Sequence, residues 1–530
     1  MEVSVIASYQ PKLGKSALTY TELGFCNLKD NGRFSTSTTT ICFAQNLWWK
    51  KQKIRINVRA HQSEAVEEEK HSCSVRRSRS IDGVRLFVGL PQDVVSLDRN
   101  TVLKHARANV AGLKALKLLG IEGVELPVWW GIVEKDAMGK YDWRGYLAVA
   151  EMVQKVGLKL HVTLCFHALK TPNIPLPRWV YQIGESQPNI FYRDRAGQYY
   201  KECLSLAVDH LPVLDGKTPL QVYHSFCESF KSSFSSFMCS TIMGITMGLG
   251  PNGELRYPSH SLLPSNNQTQ GVGEFQCYDQ NMLSFIKQHA EASGNPLWGL
   301  GGPHDAPTYD QSPNSNSFFR ERGSWESTYG NFFLSWYAEQ LVTHGACLLS
   351  LAVSIFSDTG VQVYGKIPLM HSWYRTRSHP SELTAGFYNT IKRDGYEPVV
   401  KMFAKNSCKM IIPGMDMSDA CQPHETLSSP ELLLTQIMET CRKHRVKVSG
   451  QNASECGALE GFEQIKKNLC GDNALELFTY HRMGAYFFSP EHFPSFTEFV
   501  RSLNKQELHS DDLSTDEKEA SKRPGTSVFV

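Results

Sequence analysis

The chain has 530 residues, 41% of them hydrophobic and 20% charged, with a net charge of +2. That length suits one or two ordinary domains, or a single α/β barrel with long loops. The near-neutral charge supplies no field favouring nucleic acid, and no apolar run approaches the roughly 18–20 residues of a spanning helix, so neither nucleic acid nor a membrane is an expected partner.

Residues 1–60 carry nine Lys/Arg, three acids (Glu2, Glu22, Asp30) and eleven Ser/Thr. A basic, hydroxyl-rich, acid-poor leader without an apolar core has the make-up of a plastid transit peptide rather than a secretory signal, and residues 1–75 are expected to be such a leader. Val84–Leu90 is an apolar run ended by Pro91, the pattern of a buried strand. Val102–Leu119 has helical spacing stopped by Gly120. Gly123–Gly131 is a strand with its loop, Tyr146–Val156 a helix, Leu158–Phe166 a third strand, Val222–Phe237 a helix and Ile242–Leu249 a fourth strand. Alternation continues through Tyr329–His344, Val361–Ile367, Leu383–Tyr388, Met410–Ile412, Pro430–Lys443, Val446–Ser449 and Leu477–Tyr480. Residues 506–530 are charged, lack periodicity and are expected to form a flexible tail.

Strands alternating with amphipathic helices indicate βα units and a parallel sheet. About eight units over residues 84–505 predict a single (β/α)8 TIM-type barrel with long βα loops, with an open doubly wound sheet as the alternative. The first strand is not followed by Gly-x-Gly-x-x-Gly, which lowers a dinucleotide fold. The 14 cysteines include no CxxC pair, which argues against a zinc ribbon or a thioredoxin-like site and suggests buried reduced thiols. No cofactor and no metal site is expected.

In such a barrel the functional residues lie at the C-terminal strand ends and in the loops beyond them. Taken singly, the candidates there have ordinary explanations. His167 after the third strand reads as a hydrogen-bonded structural residue, Trp129-Trp130 as packing, and Glu254 beside Arg256 as a surface ion pair.

Together they read differently. Leu126-Pro-Val-Trp-Trp-Gly-Ile-Val-Glu134, Gly248-Leu-Gly-Pro-Asn-Gly-Glu-Leu-Arg-Tyr-Pro-Ser259, Gly273-Glu-Phe-Gln-Cys-Tyr-Asp279, Phe332–Tyr337, Glu382-Leu-Thr-Ala-Gly-Phe-Tyr388 and Gly450–Ala453 resemble, in order and at comparable spacing, the β-amylases of glycoside hydrolase family 14. The resemblance spans roughly residues 84–500. It implies a barrel with a deep pocket that removes maltose from the non-reducing ends of α-1,4-glucans with inversion. Inversion needs an acid to protonate the leaving oxygen and a carboxylate to activate water on the opposite face, about 6.5–9.5 Å away. Glu254 matches the family's acid. Gln451 stands where the base, a glutamate, is expected, and a carboxamide cannot take up the proton. Loss of a positioned base costs about 10²–10⁴ in rate.

Further departures follow from the same comparison. The family's glycine-rich lid with its aspartate enters after the Phe-His pair, whereas Phe166-His-Ala-Leu-Lys-Thr-Pro-Asn-Ile-Pro-Leu-Pro177 is short, proline-rich and without Asp. Pro413 replaces a threonine of the inner loop Ile412-Pro-Gly-Met-Asp-Met417. Pro127 replaces an aspartate that holds the terminal glucose, and Thr246 replaces a glutamate. The resemblance leaves His167, Lys366, His371, Trp373, Asn452, Ala453 and Arg482 as substrate-binding positions able to shape a sugar-sized cleft.

These features predict a catalytically inactive β-amylase-like protein of the chloroplast stroma that regulates starch degradation. Its expected partners are an α-1,4-glucan or maltose, bound weakly, or an active stromal starch hydrolase such as an α-amylase or a β-amylase. The alternative is an active or weakly active β-amylase releasing maltose, with Asp416 or Glu455 as substitute base. An enzyme of another class on the same barrel has no motif to support it.

Overall fold

The computed structural model describes residues 84–96, 106–260, 271–453, 459–469 and 475–503. The expected leader and tail, Val102–His105 of the first helix and Glu455 lie outside these residues.

Eight parallel strands close into a barrel: β1 Arg85–Gly89, β2 Gly123–Trp129, β3 Lys159–Cys165, β4 Ile242–Met247, β5 Gln362–Lys366, β6 Lys409–Ile412, β7 Val448–Gln451 and β8 Leu477–Tyr480. Each pairs with the next in sequence, and β8 returns to β1 with Leu477 opposite Arg85. The open doubly wound alternative is thereby set aside. The strands are buried on both faces, which is why they read as apolar runs rather than alternating ones.

One outer helix follows each strand: α1 Ala106–Leu119, α2 Arg144–Val156, α3 Pro219–Ser233, α4 Thr328–Phe356, α5 Glu397–Lys405, α6 Pro430–Lys443, α7 Leu459–Leu469 and α8 Phe493–Leu503. Local chemistry sets several of their ends. Thr218 and Gln221 form a reciprocal capping box at the start of α3, an arrangement worth about 1 kcal/mol. Ser327 caps α4, and Gly157, at φ 76°, ends α2 in the left-handed conformation.

Two expectations change. α4 has 29 residues and runs well beyond His344. A Cβ at Gly345 would lie 2.9 Å from Leu255, so glycine at that position lets the helix pass close over the barrel without ending it. By length and composition alone α4 could cross a membrane; here it packs against β5, α3 and α5 as a core helix. Leu383–Tyr388 is no barrel unit. Its first half closes the short helix Pro380–Ala385 in the β5–α5 loop, where buried Glu382 is bonded by Asn389 and Tyr396, each at 2.9 Å.

The barrel interior is partly polar. His161 meets Thr246 at 2.7 Å and packs edge-on against Tyr364, while Thr163 donates to Glu125 at 2.7 Å. Thr246 therefore has a partner inside the barrel. At the N-terminal strand ends, Lys409 pairs with Glu476 and Arg85 with Glu122, both at 2.7 Å. The nine cysteines of the described residues are all free, and six are buried.

Candidate functional site

A cavity of about 620 Å³ opens at the C-terminal ends of the strands. Its wall comes from several βα loops: Asn252, Glu254 and Arg256 beyond β4, Lys366 and His371 from β5 onward, Pro413, Gly414 and Met417 beyond β6, Asn452 and Ala453 beyond β7, and His481 and Arg482 beyond β8. Of the residues singled out from sequence, Glu254, Lys366, His371, Asn452, Ala453 and Arg482 share this wall. Gln451, His167 and Trp373 are buried beside it and do not line it.

Glu254 is positioned by the turn at the end of β4. Gly253 takes φ 76°, and the Leu255 amide donates to the Lys366 carbonyl at 2.8 Å, which stitches the turn to β5. Arg256 Nε lies 2.9 Å from Glu254 Oε2 and Lys366 Nζ 3.4 Å from Oε1. The Glu254–Arg256 pair is thus a buried one, each side chain 13% exposed, not the surface pair of the simplest reading. Burial pushes the carboxyl up, but Lys366 and then Arg256 outweigh it and hold it below the usual carboxylate range. At neutral pH Glu254 is therefore a carboxylate, not a protonated acid.

Gln451 ends β7 and is 4% exposed. Its side-chain oxygen is buried without a hydrogen-bond partner among the described residues. Its carbonyl accepts from the Met415 amide at 3.0 Å, and Asp416 Oδ1 accepts from the Ala453 amide at 2.6 Å. The inner loop is clamped to the end of β7 by these two bonds, and Asp416 is turned toward the backbone rather than onto the cavity wall.

His167 packs edge-on against Trp129, with ring centroids 5.2 Å apart. Burial, helped by the charge of Lys366, pushes it down to about 3, so the ring is neutral at physiological pH. Its Nδ1 is buried without a partner among the described residues. The two tryptophans serve packing. Trp130 is enclosed by Phe166, Trp179 and Tyr223, and Trp129 donates to the Gln92 carbonyl at 2.7 Å. Past His167 the chain makes a tight turn in which Leu169 and Ile174 pair antiparallel, and Pro175 then lies against Gly131.

Arg482 donates from Nη1 to the Leu90 carbonyl at 2.6 Å. Its neighbour His481 meets Glu125 of β2 at 2.5 Å. Burial would push Glu125 up, but His481, Arg482 and the Thr163 hydroxyl together hold it far below the usual range. His481 itself is lowered, chiefly by burial, which leaves it a neutral donor to an ionised Glu125. Trp373 has φ 62° and its amide donates to the Thr426 carbonyl at 2.8 Å, a structural placement behind His371.

Sequence reasoning missed Gln92, Tyr200 and His260 on the wall. Tyr200 comes from a hairpin, Phe191–Arg193 with Tyr199–Leu204, that carries no motif. His260 directly follows the Glu-Leu-Arg-Tyr-Pro-Ser segment, and that proximity was the available signal.

Comparison with known proteins agrees with this geometry. The family model described as Glycosyl hydrolase family 14 matches residues 87–508. A protein named inactive beta-amylase 9, from Arabidopsis thaliana, is 56% identical over 97% of this chain and 96% of its own length. The chloroplastic beta-amylase 2 of Oryza sativa subsp. japonica is 39% identical over 83% of this chain and 81% of its own. Among solved structures, the catalytic domain of a beta-amylase from Paenibacillus polymyxa superposes with a TM-score of 0.66 at 25% identity, covering 80% of this chain and 99% of that domain.

Proposed function

This chain belongs to glycosyl hydrolase family 14, and from that premise we propose that it is a β-amylase-fold protein that does not hydrolyse glucan and instead regulates starch breakdown in the plastid. The observation that carries the reading is the pairing of Glu254 with Gln451. An inverting hydrolysis needs a proton on the first and a proton acceptor at the second. Glu254 is held ionised by Lys366 and Arg256, and Gln451 has no basic atom to offer an attacking water. The short turn after His167 and the prolines at 127 and 413 remove further groups that the active members use. The similarity to a relative named inactive supports the same conclusion, and the chloroplastic relatives support the plastid.

The regulatory role would run through weak capture of α-1,4-glucan or maltose in the cavity, or through contact with an active stromal hydrolase such as an α-amylase or a β-amylase. Maltose release from soluble starch by the full chain, beside a Gln451→Glu variant, tests the catalytic half. The expected result is silence from the unmodified protein, and silence from the variant too because the other losses remain. Maltose release by the unmodified protein, abolished by Glu254→Gln, would overturn the reading. The regulatory half fails if the protein neither binds glucan nor changes the rate of either stromal amylase.

A further inference from the structure

We propose that the cavity is a binding site for a sugar that carries a phosphate monoester, with the phosphate held among Lys366, Arg256 and Arg482. The proposal rests on the preceding reading only in taking the cleft to hold sugar without cutting it.

The argument starts from the charges on the wall. Among its lining residues, three carry permanent positive charge, Arg256, Lys366 and Arg482, and one, Glu254, is a carboxylate. Among the described residues the other titratable groups there are His260, His371 and His481, each kept below its ordinary value mainly by burial, and Tyr200, whose phenol burial pushes up, so all four are neutral. Glu254 is shared between Arg256 and Lys366, so one negative charge answers two positive ones. Arg482 spends its observed hydrogen bond on a neutral carbonyl, that of Leu90. Two further carboxylates are near, but neither is on the wall. Glu125 lies behind His481, from where it offsets part of the Arg482 charge, and Asp416 accepts from the Ala453 amide; counting Glu125, the three cations still outnumber the carboxylates they face. A ligand in the cavity therefore meets an excess of cation among the described residues, in a concave setting that focuses its pull on an anion.

A neutral glucan can accept hydrogen bonds from these groups but leaves the excess charge unanswered. A phosphate monoester, with two negative charges and three acceptor oxygens, uses it fully, and Arg and Lys are the side chains best suited to hold it. The rest of the wall fits the sugar. The cavity has the volume of a small-molecule pocket, and Tyr200, Asn252 and Gln92 supply groups that can meet hydroxyls. The hydrogen-bonding capacity of the wall is also incompletely used, since His260 Nε2 and His371 Nδ1 are buried without partners among the described residues.

The test is calorimetric titration of the full chain with glucose 6-phosphate, glucose 1-phosphate, maltose and inorganic phosphate, at low salt and at high salt. The expected result is that at least one hexose phosphate binds about tenfold or more tightly than maltose and than inorganic phosphate. The preference over maltose should shrink as salt rises, fall to near unity in Lys366→Gln, and persist in Lys366→Arg. Melting temperature checks that both variants remain folded, and the comparison of ligands on the unmodified protein decides the matter if Lys366→Gln does not. Maltose binding as tightly as either hexose phosphate sinks this inference and leaves the non-hydrolytic glucan-binding reading intact. Inorganic phosphate binding as tightly as the sugar phosphates, or no binding by any of the four, also overturns it. Maltose release from starch, by contrast, would strike the reading beneath.

Discussion

Asp416 Oδ1 accepts the Ala453 amide at 2.6 Å, tying the loop beyond β6 to the segment that begins with Gln451. An acidic side chain committed to backbone in this way is a structural clamp rather than a free base. Asp416→Ala should lower stability by about 1.5–3 kcal/mol in a denaturant titration, the range for loss of a hydrogen bond to a charged group. Asp416→Asn keeps an acceptor and should lose less. Catalysis gives the sharper contrast. If the protein released maltose and Asp416→Asn abolished it, the clamp would have to be redescribed as the substitute base.

Gln451 invites the opposite prediction. Its side-chain oxygen is buried with no partner among the described residues, a situation that costs about 1–3 kcal/mol relative to a bonded or apolar group. Gln451→Met retains the volume and removes the orphaned oxygen, so it should be neutral or stabilising by up to about 1 kcal/mol. Gln451→Glu places a carboxylate in the same buried position, so its pKa should be raised and the variant's loss of stability relative to the parent should be larger at neutral pH than at pH 5. Urea midpoints at the two pH values check both statements. A Gln451→Met variant that loses more than about 1 kcal/mol would mean that the amide has a partner it needs.

The turn after His167 is held by a contact that leaves no room for a side chain at Gly131. A Cβ there would overlap the Pro175 carbonyl oxygen. Gly131→Ala should therefore cost about 3 kcal/mol or more, because backbone must move to relieve the overlap. Limited proteolysis should then cut within residues 167–177, which stay protected in the parent. Equal protection in both proteins would show that the turn does not depend on this contact.

How much of this was legible beforehand depended on the kind of signal. The barrel strands could be read because each is a short apolar run closed by turn residues, and burial on both faces is what such a run reports. Glu254, Lys366 and Arg482 could be placed because strand ends carry the chemistry of this architecture. Leu383–Tyr388 misled because a short apolar run has the same composition whether it is a strand or a buried helical turn, and the bonds that hold Glu382 come from Asn389 and Tyr396, outside the run. Tyr200 and Gln92 were invisible for a related reason. Their loops are shaped by long-range contacts, such as the bond from Trp129 to the Gln92 carbonyl, and no local pattern encodes those. That Glu254 is held ionised could not be read either, since Lys366 is more than a hundred residues away in sequence.

The buried contact between Glu125 and His481 predicts how the fold responds to acid. Glu125 has a folded pKa well below its unfolded value of about 4.3. A depressed carboxyl contributes stability that is fully present above the unfolded value and is lost as pH falls toward the folded one. Below about pH 4 the protein should therefore lose stability steeply through this group. His481 adds to the slope at higher pH. Its folded value is lowered too, so the unfolded chain takes up the proton first, and stability should begin to decline as pH drops through about 6.5. Glu125→Gln removes the charge but keeps an acceptor for His481 and Thr163. It should cost about 1.5–3 kcal/mol at pH 7, since the bonds from His481 and Thr163 to a charged group become bonds to a neutral one, and should flatten the limb below pH 4. Thermal melts from pH 7 to pH 3 on parent and variant measure both limbs. Parallel curves would mean that Glu125 is not the group the acid limb reports.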